Sequence, residues 1–108
     1  MNTNQSIRVL LIEDEVSDAQ LVMIDLRTTH HEQFNVVWVQ SLKEAEEQLE
    51  QQLFDVILLD LILPDSNGLN TLHTIRNKSN QLPIIVLTGL CDTNFALRAL
   101  EMGAIDYV

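Results

Sequence analysis

The chain of 108 residues has room for one domain, predicted to span residues 1–108, and its 46% hydrophobic content is enough for a packed core. Sixteen acidic and six basic residues give a formal net charge of −10. Direct binding to nucleic acid or to an anionic membrane is therefore not expected, because both need Lys and Arg to neutralise phosphates. The lone Cys91 cannot form an internal disulfide and is interpreted as a plain loop residue in a reducing compartment. Residues 1–6 do not form a signal peptide and no apolar run is long enough for a membrane span, so we expect a cytoplasmic protein.

The first two predicted strands are each followed by a predicted helix. Residues 7–12 form an almost continuous apolar strand that ends at Glu13-Asp14-Glu15, and residues 35–39 form the second strand. Ser17 with Gln20 forms a capping-box pattern for the first helix. Its inward residues are predicted to be Ala19, Val22, Met23 and Leu26, with Leu21 and Ile24 widening the apolar stripe. Ser41 with Glu44 repeats the capping pattern for a helix that is predicted to bury Leu42, Ala45, Leu49 and Leu53.

The third predicted strand delivers a carboxylate to the point where regular structure stops. Residues 56–59 are apolar, Asp60 follows them, and Pro64 and Gly68 then enforce a loop. A carboxylate at the tip of a buried strand is costly unless it coordinates a metal, accepts a chemical group or caps a neighbouring segment. The pattern around Asp60 alone leaves these three roles open.

The remainder of the chain continues the alternation of helix and strand. Leu69, Leu72 and Ile75 predict a helix that reaches about Lys78, and residues 84–87 form a fourth strand that ends in Thr88. A fourth helix is predicted from its Asp92 cap, its inward Ala96, Ala99 and Leu100, and its Gly103 stop, before a fifth strand begins at residues 105–108. Strict alternation predicts an α/β fold with a parallel sheet whose strands are covered by helices on both faces.

Polar residues follow three of these strands at their carboxyl ends. In open parallel sheets ligands bind at this edge, where Glu13-Asp14, Asp60 and Thr88 are expected to converge. Three carboxylates at one edge raise one another's pKa unless a cation lies among them, and oxygen ligands with open positions favour Mg²⁺. A carboxylate beside such a metal can attack a phosphoryl donor and hold an acyl phosphate.

Each of these residues also has a purely structural interpretation when it is taken alone. Glu13 or Asp14 can cap the helix that begins downstream, Asp60 can form an Asx turn ahead of Pro64, and Thr88 can simply end a strand. Their joint occurrence at three strand ends favours the metal and phosphoryl interpretation.

Four segments together resemble the receiver domain of two-component response regulators, and the resemblance covers essentially the whole chain. The matching segments are VLLIED (9–14), LLDLILPDSNG (58–68), PIIVLTG (83–89) and GAIDY (103–107). The resemblance implies a flavodoxin-like, doubly wound parallel sheet with strand order 2-1-3-4-5. It also implies a signalling domain that is not an enzyme beyond its own phosphorylation and dephosphorylation.

Specific roles for site residues are carried over from this resemblance. Asp60 would be phosphorylated by a histidine kinase or a phosphotransfer protein. Asp14 and Asp60 would bind Mg²⁺ directly with the backbone carbonyl of Ile62, and Glu13 would act through water. Thr88 would be the switch hydroxyl, and Tyr107 the aromatic side chain that moves with it. A local charge change would thus tip a two-state interaction surface.

One part of the family pattern lies beyond the printed sequence. By family spacing, a lysine that pairs with the phosphate would fall just beyond Val108, and neither Lys43 nor Lys78 lies where it could substitute. The chain is therefore interpreted as a fragment that is truncated in strand five and lacks the last helix, and an output domain can follow Val108. We expect it to expose apolar surface of the first helix and the sheet, which favours self-association or a rearranged terminus.

Three other interpretations fit the residues less well. A haloacid-dehalogenase-like phosphatase needs a second aspartate two residues after Asp60, where Ile62 stands. A flavodoxin-like cofactor binder needs a phosphate loop after strand one, where Glu13, Asp14 and Glu15 would repel a phosphate. A receiver-like interaction module that works without phosphorylation is the remaining alternative, and the presence of the acidic residues and Thr88 disfavours it.

Overall fold

In the described part of the chain, helices separate the first four strands of the main sheet, as the sequence predicts. The computed structural model describes residues 6–29, 33–79, 81–87 and 106–107. Its elements are β1 (Ser6–Ile12), α1 (Val16–Thr29), β2 (Gln33–Val39), α2 (Leu42–Gln51), β3 (Val56–Asp60), β4 (Ile62–Leu63), β5 (Ser66–Asn67), α3 (Leu69–Lys78), β6 (Ile84–Leu87) and β7 (Asp106–Tyr107). Within these ranges, no helix combines the length and the apolar character that crossing a membrane requires.

The main sheet is parallel and has five strands in the order β2-β1-β3-β6-β7. The antiparallel pair β4–β5 forms a separate hairpin. When this hairpin is left out, β6 and β7 are the fourth and fifth strands of the main sheet, and the order is the predicted 2-1-3-4-5. Ile12 lies opposite Leu59, and Asp60 lies opposite Leu87. The carboxyl ends of β1, β3 and β6 therefore meet at one edge of the sheet.

The core has two parts, one on each face of the sheet. Along β1, Leu10 and Ile12 pack into the cluster that includes the buried residues of α2 and α3, whereas Val9 and Leu11 pack into the cluster that includes Ala19 of α1. Successive strand residues point to opposite faces, so a run that is apolar at every position is buried on both sides. Each fully buried leucine or isoleucine side chain contributes roughly 1.5–3 kcal/mol.

Helix α1 corrects two sequence-based predictions. The helix begins at Val16 and the Glu15 carbonyl accepts a hydrogen bond from the Ala19 amide at 3.0 Å, so the predicted cap Ser17 lies inside the first turn. Leu21 and Ile24 do not widen the buried stripe, because their side chains are 64% and 51% exposed. At about 100° per residue they project from the face of the helix opposite to Ala19.

Helix α2 confirms its predicted cap and corrects its predicted end. The Ser41 hydroxyl accepts a hydrogen bond from the Glu44 amide at 3.1 Å, and the Glu44 carboxylate accepts one from the Gln40 amide at 2.9 Å. The prediction that Leu53 is buried was wrong, since its side chain is 83% exposed. The helix ends at Gln51, so Leu53 no longer follows helical spacing, and Phe54 is buried instead.

The second half of the chain is described in part. Helix α3 ends at Lys78, and β6 covers residues 84–87, both as predicted. The predicted fourth helix from Asp92 to Gly103 lies outside the described residues, as does Cys91.

Candidate functional site

Three carboxylates meet at the carboxyl edge of the sheet. Glu13 and Asp14 follow β1 directly, and Asp60 is the last residue of the adjacent parallel strand β3. One carboxylate oxygen from each lies within 4.8 Å of the others. The convergence that the sequence predicts for these three acids is thus present in the structure.

The environments of the three carboxylates differ. Glu13 is buried at 5% exposure, Asp60 is half-buried, and Asp14 is open to solvent. Burial, followed by a hydrogen bond with the Asp60 carboxyl and by repulsion from it, raises the pKa of Glu13 to about 8, although the Glu15 amide opposes this shift. In the absence of a cation, Glu13 therefore retains a proton at neutral pH.

The backbone of Glu13 is fixed by strand β2. Its amide donates to the Val39 carbonyl at 3.0 Å, and its carbonyl accepts a hydrogen bond from the Trp38 indole Nε1 at 2.7 Å. The chain has one tryptophan. An aromatic group whose fluorescence responds to its surroundings is thus hydrogen-bonded to one residue of the acidic cluster.

The Asp60 side chain also orders the loop that follows it. Its Oδ1 accepts a hydrogen bond from the Ile62 amide at 3.0 Å, the geometry of the Asx turn that the sequence left open as an alternative role. A carboxylate offers about four acceptor positions. Asp60 can therefore order the loop and face Glu13 and Asp14 at the same time.

The loop after Asp60 folds into the hairpin β4–β5, which is held by side chains that sequence reasoning missed. The Thr71 hydroxyl, buried in α3, donates to the Leu61 carbonyl at 3.1 Å and shares a 2.8 Å hydrogen bond with Ser66. The turn between the two strands contains Pro64 and Asp65. A threonine within the apolar stripe of α3 was the one sequence signal for Thr71.

Asp65 connects this turn to helix α2. Its two carboxylate oxygens accept hydrogen bonds from the amides of Leu42 at 2.8 Å and Lys43 at 3.0 Å. The bond from Leu42 is the largest of the causes that hold the pKa of Asp65 below its ordinary value. No local pattern pairs residue 65 with a helix that begins at residue 42.

Gly68, which ends the loop, has a φ of +64°, a conformation that favours glycine.

The donor set fits a hard divalent cation. Carboxylate and carbonyl oxygens are the ligands that Mg²⁺ prefers, and an exposed Asp14 leaves room for the waters that this ion retains. A positive charge at this position would also offset the repulsion among Glu13, Asp14 and Asp60. The backbone of Ile62 lies next to the cluster, because its amide donates a hydrogen bond to the Asp60 carboxylate.

The two predicted switch residues are less completely described. Thr88 lies outside the described residues, and it follows Leu87, which is paired with Asp60. Tyr107 belongs to β7, where its backbone lies opposite Val86 of β6. The roles of both residues stay predictions.

Comparison with known proteins gives a consistent result. Residues 9–108 match the family model described as the response regulator receiver domain. The cell cycle response regulator CtrA of Brucella ovis is 38% identical over 101 residues, covering 94% of this chain and 42% of that protein. Curated relatives of this kind extend well beyond the match: the chain spans 23% of the transcriptional regulatory protein ZraR of Escherichia coli and 44% of the swarming motility regulation protein RssB of Serratia marcescens.

Solved structures show the same fold. The non-phosphorylated receiver domain of HemR from Leptospira biflexa superposes with a TM-score of 0.80 at 31% identity, covering 95% of this chain and 81% of that one. The BeF3-activated receiver domain of RstA from Klebsiella pneumoniae gives a TM-score of 0.81 at 30% identity, with 94% and 83% covered. With its parallel sheet, its acidic cluster and its match over residues 9–108, the chain belongs to the receiver domain family of two-component response regulators.

Proposed function

We propose that Asp60 accepts a phosphoryl group from a histidine kinase or a phosphotransfer protein in a Mg²⁺-dependent reaction. In this step a carboxylate oxygen of Asp60 attacks the phosphorus atom of a phosphohistidine. The bond from phosphorus to the histidine nitrogen breaks, that nitrogen keeps the electron pair, and an acyl phosphate forms on Asp60. The observation that carries the proposal is the convergence of three carboxylates, including Asp60, at the end of β3 in a chain of this family.

The proposal assigns the cation to this chain's oxygen atoms. Asp14 and Asp60 would bind Mg²⁺ directly with the backbone carbonyl of Ile62, and Glu13 would act through water. When bound, the ion would offset the negative charge of the transferred group. The exposure of Asp14 supports its role as a direct ligand, because the ion keeps several water molecules when it binds. The burial of Glu13 supports an indirect role for that carboxyl.

The proposal further assigns the response to Thr88 and Tyr107. Phosphorylation of Asp60 adds charge at the sheet edge, and the hydroxyl of Thr88 would move toward it, followed by the ring of Tyr107. The sheet register supports this route, since Asp60, Leu87 and the β7 backbone belong to three consecutive neighbouring strands. The chain would act in the cytoplasm as a switch that catalyses only its own phosphorylation and dephosphorylation. Its output would pass to a further domain or protein.

The proposal is tested with a small phosphodonor and Mg²⁺. Intact-mass spectrometry should show one added phosphoryl group on the wild type and none on Asp60→Asn. Asp55→Asn is a matched control, because Asp55 precedes the same strand and its carboxylate bonds the Arg8 amide at 2.8 Å, away from the cluster. If Asp60→Asn gains the same mass as the wild type, or if the wild type gains none, the proposal is wrong. A beryllium fluoride titration read from Trp38 fluorescence gives an independent measurement.

A further inference from the structure

The hairpin β4–β5 depends on neighbouring helices for its conformation. Each of its strands has two residues, and a two-stranded hairpin of this size is not stable alone in water. Leu63 is buried, but the side chain of Ile62 is 48% exposed. Packing therefore fixes one side of the hairpin, and the orientation of the Ile62 backbone depends on the hydrogen bonds that hold the turn.

One of these attachments comes from the N-terminus of α2. Asp65 accepts hydrogen bonds from the Leu42 and Lys43 amides, at 2.8 and 3.0 Å. The same helix already has a local cap, since Ser41 accepts the Glu44 amide. Two independent caps thus satisfy different amides of one helix end. Of these two caps, Ser41 is local to the helix, whereas Asp65 belongs to a second element, the β4–β5 hairpin.

The attachment at Asp65 is connected to the candidate metal site through the hairpin. Ile62 and Asp65 belong to the same hairpin, and the Ile62 amide donates to Oδ1 of Asp60. A turn released from α2 can shift, which would alter both the direction of the Ile62 carbonyl and the orientation of the Asp60 carboxylate. Groups that orient ligands in this way commonly determine metal affinity.

We propose that Asp65 is a positioning residue for Mg²⁺ binding: by tying the β4–β5 turn to the N-terminus of α2, it holds the Ile62 carbonyl and the Asp60 carboxylate in the orientation that the ion requires. This inference rests on the proposed function. It adds a residue that does not contact the ion and that belongs to neither of the strands that carry the acids.

The experiment compares the two caps of α2. Mg²⁺ is titrated into the protein and binding is followed by the fluorescence of Trp38, whose indole bonds the Glu13 carbonyl. Asp65→Ala should weaken Mg²⁺ binding about tenfold, the lower end of the usual effect of such outer groups. Ser41→Ala removes the other cap of the same helix, and it should leave the affinity unchanged. Urea denaturation of both variants measures what each cap contributes to folding.

The outcomes separate this inference from the proposed function. Wild-type affinity in Asp65→Ala, or an equal loss in Ser41→Ala, would show that Asp65 only caps the helix, and the inference would be overturned. If Asp65→Ala does not fold, Asp65→Asn retains one acceptor oxygen and should bind with intermediate affinity. Unchanged binding by that variant would also overturn the inference. A wild type that shows no response to Mg²⁺ would instead overturn the proposed function, and this inference with it.

Discussion

The protonated state of Glu13 makes the stability of the metal-free protein depend on pH. The pKa of this carboxyl is about 8 in the folded chain, against an ordinary value of 4.5. Between these two values the folded protein retains a proton that the unfolded chain releases. The contribution of Glu13 to stability is therefore fully present below about pH 4.5, falls as the pH rises and levels off above about pH 8.

The size of the effect follows from the same two values. Each pH unit within this interval changes the free energy of unfolding by about 1.4 kcal/mol, so the loss between about pH 5 and pH 7 is about 3 kcal/mol. A domain of this kind is stable by about 5–15 kcal/mol in total, which makes the loss measurable. The buried position of Glu13 limits solvent screening of the effect.

Glu13→Gln removes the titration of residue 13 together with its charge coupling to Asp60. The glutamine amide can donate to Asp60 and accept from the Glu15 amide as the protonated acid does, but it cannot ionise. Urea denaturation of both proteins, in the presence of a chelator and at several pH values, should give a difference in stability that grows in favour of the variant as the pH rises. A difference that stays constant across this range would refute the reasoning. Addition of Mg²⁺ above neutral pH should stabilise the wild type.

Two further predictions concern packing and the loop. Thr71→Val should destabilise the protein by about 1–3 kcal/mol, because it removes the hydroxyl that bonds Leu61 and Ser66. A loss of stability no larger than that of Ser66→Ala would contradict the assignment of this stabilisation to the buried Thr71 hydroxyl. Leu72→Ala, at a fully buried position, should destabilise by about 2–5 kcal/mol. Leu53→Ala, the same substitution at an exposed position, should change stability by about 0.5 kcal/mol or less. Thermal denaturation measures all four variants, and equal losses in the two leucine variants would contradict the assigned burial.

The strands could be predicted because their sequence and their environment agree. Leu10 and Leu11 pack on opposite faces of the sheet, and a run such as residues 9–12 has few other stable placements. The cap at Ser41 was also predictable, because the residue and the amide that it satisfies lie three positions apart. The same three-residue pattern at Ser17 and Gln20 was misleading, because α1 begins one residue before Ser17.

The errors in predicted burial share one cause, which is that apolar character does not specify the direction in which a side chain points. Leu21 and Ile24 are apolar and lie close to the inward residues of α1 in sequence, yet the rotation of the helix places them in solvent. Leu53 was assigned to the core by extending helical spacing two residues past the end of α2. Beyond the end of a helix, helical spacing no longer predicts which side of a residue is buried.

The acidic residues of the site could be predicted from the sequence, but the residues that hold the neighbouring loop in place could not. Glu13, Asp14 and Asp60 each follow an apolar strand, and the rule that parallel strands end at one edge brings them together. Asp65 and Thr71 act through hydrogen bonds to residues 42–43 and 61, and those pairings exist only after the helices have packed on the sheet. Sequence spacing carries no information about them.

The position of β1 between β2 and β3 has a consequence for the order in which the protein is made. The ribosome releases β1 before both of its neighbours in the sheet, and one of them, β3, is completed only at Asp60. Contacts between such distant segments form late, because the entropy cost of closing a long loop must be met before the contacts can stabilise the sheet. A nascent chain can therefore carry Glu13 and Asp14 without Asp60 beside them. The acidic cluster is complete only once the centre of the sheet has been assembled.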